Sequence, residues 1–74
     1  MPKLPVCSGE DVISAFKEAG WIVDRQKGSH VSMIKRGVPV VLTIPLHNSL
    51  DRGLLRGLIR KSGLSVEEFV ELLD

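Results

Sequence analysis

The chain has 74 residues, and its 10 Lys and Arg residues against 9 Asp and Glu residues give a formal net charge of +1. A chain of this length is expected to form one domain, here 1–74, with a thin core, which excludes a deep cofactor cavity in an isolated monomer. A 43% hydrophobic fraction with 26% charged residues excludes wholesale disorder, and no apolar run reaches the roughly 20 residues that a membrane span requires.

The first predicted element is a helix that starts after Ser8. Ser8 and Asp11 resemble a capping box with Asp in place of the usual Glu, and an apolar stripe follows at helical spacing. Gly20 is a natural end for this helix, because glycine accepts the left-handed conformation. Trp21 is expected in the core, since tryptophan is highly buried on average. The apolar stripe comprises Val12, Ile13, Phe16 and Ala19.

Three β-rich segments follow the helix, at 21–26, 30–35 and 38–45, with turns at Lys27-Gly28 and Arg36-Gly37. Their short connections favour an antiparallel meander. The sequence pattern does not determine which face of the sheet each side chain of the second strand occupies. A shift of one residue in register moves every side chain to the other face.

Two helices complete the predicted order α-β-β-β-α-α, which is an α+β fold. The first runs from about Asp51 to Ser62 and ends at Gly63, and a capping box at Ser65 starts the second. Two glycines lie inside the longer helix, where each costs about 1 kcal/mol relative to alanine. Close packing of helix on sheet is favoured for them over a phosphate contact. The glycines are Gly53 and Gly57, and the buried stripe of this helix comprises Leu54, Leu55, Leu58 and Ile59.

The small net charge hides a strongly basic middle of the chain. Residues 25–61 carry eight Lys and Arg residues against one Asp, a sum of +7, while 1–24 sum to −2 and 62–74 to −4. Within the middle segment, Arg52, Arg56 and Arg60 recur at every fourth position, and no acidic residue of the helix follows them at pairing distance. The segment is therefore a candidate surface for a polyanion.

Cysteine and histidine usage argues against disulfides, export and metals. The single Cys7 fits a reducing cytosol, and residues 1–5 lack an apolar signal core, so a cytoplasmic location is expected. His30 and His47 each lack a second ligand-type residue at helical spacing. Neither a metal nor a cofactor is expected.

The junction between the first two strands is the most informative stretch for chemistry. Arg25 and Lys27 cluster with His30 around Gly28, which allows close approach of backbone to a ligand. Ser29 adds a hydroxyl and a backbone N–H that a phosphate oxygen can use. Histidine suits proton transfer at neutral pH.

These groups suit metal-free cleavage of RNA, which carries its own nucleophile in the 2′-OH. His30 is the candidate general base, Arg25 or Lys27 would stabilise charge on the phosphate, and His47 is a tentative acid for the leaving oxygen. The candidate RNA-binding residues are Arg25, Lys27, Gly28, Ser29, Lys35, Arg36, Arg52, Arg56 and Arg60.

The few aromatic residues restrict how RNA would be recognised. Only Trp21, Phe16 and Phe69 are present, and both phenylalanines lie on core stripes. A platform for base stacking needs several exposed rings, so binding would depend on phosphates and backbone shape. RNA is the expected nucleic-acid partner, with no DNA contact by this chain alone.

Four segments together resemble the HicA family of toxins: EAGW at 18–21, RQKGSH at 25–30, IPLH at 44–47 and LRGLIRKSGL at 55–64. The similarity runs from about Asp11 to the C-terminus. It implies a fold like the double-stranded-RNA-binding domain, with helices on one face of a three-stranded antiparallel sheet. It also implies an mRNA-cleaving toxin that blocks translation in a stress response, with His30 as the essential residue. The implied partner is a HicB antitoxin that covers the active site.

Two other functions remain open from the residues alone. A non-catalytic RNA-binding module would use the same basic face and leave RNA intact. A protein-interaction domain would instead dock its arginine row on an acidic partner, without salt-sensitive RNA binding.

Overall fold

The structure, a computed structural model, describes residues 3–73, so the predicted domain 1–74 extends beyond it by Met1, Pro2 and Asp74. The chain forms a three-stranded antiparallel sheet and three helices, and the predicted order α-β-β-β-α-α is confirmed. The elements are α1 (Gly9–Glu18), β1 (Ile22–Lys27), β2 (His30–Lys35), β3 (Val38–Pro45), α2 (Arg52–Ser62) and α3 (Val66–Glu71).

Local capping sets both ends of α1, as the sequence predicts. The Ser8 hydroxyl accepts a hydrogen bond from the Asp11 N–H at 3.1 Å, and the Asp11 carboxylate accepts one from the Ser8 N–H at 3.2 Å. At the other end Gly20 has φ +100°, and the Trp21 N–H donates to the Phe16 carbonyl at 3.0 Å. This closing bond is the Schellman arrangement, and it stops the helix where the chain turns into β1.

Three boundaries differ from the sequence prediction by a single residue. Trp21 is not in β1, because its N–H closes α1 while its side chain is buried, as expected, at 1% exposure. Lys27 belongs to β1, which leaves Gly28 and Ser29 as the two-residue turn of the hairpin. Asp51 precedes α2 as its N-cap, with its carboxylate accepting from the Leu54 N–H at 3.2 Å.

The register of β2 and β3 determines the face on which His30 lies. Val31 pairs with Ile44 and Met33 pairs with Leu42, and all four side chains are buried. Successive residues of a strand point to opposite faces, so His30 lies on the face away from the core.

The helices pack on one face of the sheet and enclose a single cluster of buried side chains. Phe16 of α1 contacts both Trp21 and Phe69 of α3, with ring centroids 6.3 and 5.3 Å apart. Leu55, Leu58 and Ile59 of α2 join the same core from the side of β3. The opposite face of the sheet is open, with Ile22 and Val41 more than half exposed. None of α1 to α3 is long and apolar enough to cross a membrane.

The N-terminal segment fixes the loop that joins β3 to α2. The Gly9 N–H donates to the His47 carbonyl at 2.9 Å, and the Leu50 N–H donates to the Cys7 carbonyl at 2.8 Å. Gly9 is buried against the end of β3, where an added Cβ would overlap the Pro45 carbonyl oxygen. Only glycine allows the start of α1 to approach that strand so closely.

Candidate functional site

An open groove of about 460 Å³ lies between one end of the sheet and α2. Its size falls in the range of small-ligand sites. The sheet supplies His30, Thr43 and Pro45 to one wall. The helix supplies Gly53, Leu54, Gly57, Leu58 and Lys61 to the other.

His30 reaches the groove from a firmly held position in the backbone. It begins β2, between Lys27 of β1 and Pro45 of β3 in the two ladders. The turn before it is tied down twice, since the Gln26 amide donates to the Gly28 carbonyl at 3.0 Å and the Leu46 N–H donates to the Ser29 carbonyl at 2.7 Å. Gly28 has φ +60°, in the left-handed region that glycine adopts without strain. The exposed imidazole therefore stands on a rigid support.

Two cations of β1 lie on the same face of the sheet as His30. Lys27 is the cross-strand partner of His30, and Arg25 is the partner of Ser32. Directly paired residues in an antiparallel sheet share a face. Arg25 Nε lies 3.8 Å from the Asp24 carboxylate, and the Arg25 side chain is 78% exposed. This ion pair therefore leaves the guanidinium accessible.

Lys61 is a groove residue that the sequence analysis did not single out. Gly53, Gly57 and Lys61 recur at every fourth position of α2 and so form one row along the helix. The arginines follow the same spacing one position earlier. The spacing of Gly53, Gly57 and Lys61 is the sequence feature that points to Lys61. It does not show which row of the helix lies on the side of His30.

The arginine row of α2 is not brought into the groove. Arg52, Arg56 and Arg60 are exposed, and Arg56 and Arg60 instead border a second depression of about 270 Å³ near Ser65. The row is offset by one position from Gly53, Gly57 and Lys61, so it neighbours the groove on the helix surface without lining it. The cations of α2 are thus divided between the groove, which has Lys61, and this exposed row.

The expectation that the α2 glycines allow close packing on the sheet is wrong. A Cβ added at Gly57 would meet nothing within 4 Å, and one at Gly53 would meet only the Asp51 carboxylate of the helix cap, at 3.1 Å. Leu54, expected in the buried stripe, is 40% exposed in the groove. The cause is the rotation of α2 about its axis, which turns this row toward the groove.

Of the eleven predicted site residues, His30 lines the groove and the other ten lie outside its lining. His47 is exposed in the loop after β3, two residues beyond Pro45. Lys35 and Arg36 lie at the other end of β2, about 16 Å from His30 along the strand.

Cys7 is buried, and its thiol donates to the Pro5 carbonyl at 3.4 Å. Burial raises the pKa of this thiol above its ordinary value, and the nearby Asp11 carboxylate raises it further. Within residues 3–73, no three His, Cys, Asp or Glu side chains form a group that could hold a metal ion.

The family model described as the HicA toxin of bacterial toxin–antitoxin systems matches residues 9–64, from the first residue of α1 to just beyond α2. This chain belongs to the HicA toxin family. The resemblance stated from the sequence is thereby confirmed, and α3 of this HicA toxin lies outside the matched range.

A solved structure supports the same assignment. A chain of a toxin–antitoxin complex from Streptococcus pneumoniae is 34% identical to this HicA toxin, with a TM-score of 0.67. The alignment covers 77% of this chain and 97% of that one. No curated protein sequence matches the chain.

Proposed function

We propose that this HicA-family toxin is a metal-independent endoribonuclease that cleaves mRNA and so blocks translation. The observation that carries the proposal is the position of His30, an exposed imidazole on a rigid strand end inside an open groove. Lys27 and Arg25 lie on the sheet face that carries His30, and Lys61 lines the same groove from α2.

The proposed reaction uses the 2′-OH of RNA as the nucleophile. His30 removes the 2′ proton, and the oxygen attacks the adjacent phosphorus while the bond to the 5′ oxygen breaks. The products are a 2′,3′-cyclic phosphate and a free 5′-OH. The leaving oxygen takes up one proton, and His47 is the candidate donor because its loop lies at the same end of the sheet as His30.

Negative charge builds up on the phosphoryl oxygens during this attack, and nearby cations stabilise it. Lys27 and Arg25 are suited to this role, since both lie on the sheet face that carries His30. The hydroxyl and N–H of Ser29, together with the side-chain-free backbone of Gly28, offer a close approach for a phosphate at the hairpin turn.

A protein antitoxin of the HicB type is the proposed partner. The structural neighbour from Streptococcus pneumoniae is part of a toxin–antitoxin complex, and the groove of this chain is open enough for a partner segment to occupy it. An occupant of the groove would block access to His30. We place the activity in the cytoplasm, where its mRNA substrate and the reduced Cys7 are both expected.

The deciding experiment compares wild type with His30→Ala on mRNA in excess chelator. Wild type should cut the RNA and leave a DNA strand of the same sequence intact, because DNA lacks the 2′-OH. His30→Ala should lose about a hundredfold or more of the cleavage rate, the usual contribution of a general base. Because His30 is exposed, the circular dichroism spectrum and the unfolding midpoint of the His30→Ala variant should match those of wild type.

Other outcomes of the same experiment favour other functions. Equal cleavage by His30→Ala would reject the assignment of this residue. Salt-sensitive binding of RNA that stays intact after long incubation would identify a non-catalytic RNA-binding module. Absence of any salt-sensitive RNA binding would favour a protein-interaction domain.

A further inference from the structure

Lys61 is placed where it can act on a ligand that also contacts His30. It is exposed near the C-terminal end of α2 and lines the groove that contains His30. The helix that carries it is anchored by Leu55, Leu58 and Ile59, which are all buried. The backbone position of Lys61 relative to the sheet is therefore fixed by the core, while its side chain is free to reach into the groove.

The charge of the groove favours an anionic occupant. None of its lining residues carries a carboxylate, and Lys61 is the charged side chain among them. Within residues 3–73 the structure shows one ion pair, between Arg25 and Asp24. Lys61 therefore has no carboxylate partner among these residues. An ammonium group without a partner, in the same open groove as an imidazole, is suited to contact a phosphate.

The shape of the groove fits a nucleic-acid strand better than a bare anion. Gly53 and Gly57 leave the helix wall without side chains on the row that leads to Lys61, and a Cβ at Gly57 would meet nothing within 4 Å. Beside this row, Leu54 and Pro45 provide apolar surface that a ribose or base can cover. The groove thus offers clearance, apolar contact and one cation along the same helix face.

We infer that Lys61 contacts the phosphate that reacts at His30, so that the RNA strand passes between α2 and the end of the sheet. This inference rests on the proposed ribonuclease function and adds to it a residue from the helix wall. Lys61 stabilises negative charge on the phosphoryl oxygens from the side opposite Lys27 and Arg25. A lysine is suited to this role because it acts as a point charge on a flexible stem.

Binding is tested with a 2′-O-methyl oligoribonucleotide, which lacks the nucleophile and cannot be cut. Lys61→Ala should weaken binding and reduce the slope of log K against log salt by about 0.7, the value for one lost phosphate contact on a single strand. Lys17→Ala is the matched control, because it removes the same charge from an exposed position of α1 outside the groove. Lys17→Ala should leave the slope unchanged.

Cleavage is tested with unmodified RNA at saturating concentration. Lys61→Ala should reduce the rate about tenfold or more, whereas Lys61→Arg should keep most of it and Lys17→Ala should stay within about twofold of wild type. If Lys61→Ala matches Lys17→Ala in both assays, the inference is wrong while the proposed function stands. If wild type binds RNA but does not cut it, the proposed function fails, and the salt slope still decides whether Lys61 contacts a phosphate.

Discussion

Lys61 near the end of α2 and His30 at the start of β2 line the same groove, although nothing in their local sequence connects them. Their proximity follows from two features of the fold. The hairpin turn at Gly28 and Ser29 sets His30 at the sheet end, and the buried stripe of α2 sets which row of that helix faces it. The candidate site is therefore a product of helix packing as much as of the hairpin motif.

Gly57 offers separate tests of helix stability and of the role of the groove. Gly57→Ala should raise the free energy of unfolding by about 1 kcal/mol, because alanine is the better helix former and its methyl group meets open space. Gly57→Leu should fill the groove and lower the rate of RNA cleavage. Urea unfolding and a cleavage assay measure the two effects.

Ser14→Leu is the control for the larger side chain, since Ser14 is exposed on α1 outside the groove. It should leave cleavage near the wild-type rate. A Gly57→Leu variant that folds and cleaves like Ser14→Leu would show that the RNA does not enter this groove.

Gly9 should respond to the same substitution with the opposite sign. Gly9→Ala would press a methyl group against the Pro45 carbonyl and bring it to 3.0 Å of the Leu46 Cα, both of which are backbone atoms. Such overpacking typically costs about 1–3 kcal/mol. Urea unfolding should therefore show a loss for Gly9→Ala beside a gain for Gly57→Ala, and equal behaviour of the two would contradict this account of the two glycines.

Features with a local cause could be predicted from the sequence. The Ser8 capping box, the stop at Gly20 and the turn at Gly28 each depend on a few neighbouring residues, and each is confirmed. The family resemblance located the hairpin that carries His30. The part of the candidate site that lies on the sheet could be predicted because a tight hairpin positions its own residues.

The helix wall of the groove could not be predicted in the same way. Leu54 and Leu55 have the same side chain, yet one is 40% exposed in the groove and the other is buried at 1%. The periodicity of α2 indicates an apolar face but does not fix its rotation to within one residue. The row of Lys61 and the row of Arg56 and Arg60 are about 100° apart around the helix, and the rotation of α2 decides which of them lines the groove with His30.

The arginine row should affect RNA binding without affecting the chemical step. Arg56→Ala and Arg60→Ala remove cations that lie outside the groove. If the row contacts RNA phosphates, each variant should weaken binding at every RNA sequence tested and lower the salt slope by about 0.7. The cleavage rate at saturating RNA should stay within about twofold of wild type. A loss of rate as large as that of Lys61→Ala would place the row at the reacting phosphate instead.

The cap of α3 predicts a pH-dependent contribution to stability. The Glu68 carboxylate accepts a hydrogen bond from the Ser65 backbone N–H at 2.8 Å. This bond, and to a lesser extent the hydrogen bond with the Ser65 hydroxyl, holds the pKa of Glu68 below its ordinary value. A carboxylate whose pKa is lowered in the folded state stabilises the fold above its unfolded pKa, and this contribution is lost as the pH falls through the folded value. The difference in unfolding free energy between wild type and Glu68→Gln should therefore shrink below about pH 4.3.

Ser65→Ala removes the side-chain half of the same cap. It should cost about 1 kcal/mol at neutral pH, as is typical for loss of an N-cap hydroxyl. It should also move the pKa of Glu68 toward its ordinary value in an NMR titration, because one of the two hydrogen bonds that lower it is gone. An unchanged titration of Glu68 in this variant would assign the lowered pKa to the backbone N–H alone.

His47 can be tested as the acid by its effect on the cleavage rate. A general acid typically contributes about a hundredfold or more by protonating the leaving oxygen. His47→Ala should therefore lower the cleavage rate at saturating RNA by about that factor, while RNA binding stays near that of wild type. The exposed His47 side chain can be replaced without disturbing the backbone bond from the Gly9 N–H to the His47 carbonyl. An unchanged cleavage rate for His47→Ala would move the role of the acid to another group, and Lys61 is then the next residue to examine, because it already lies in the groove with His30.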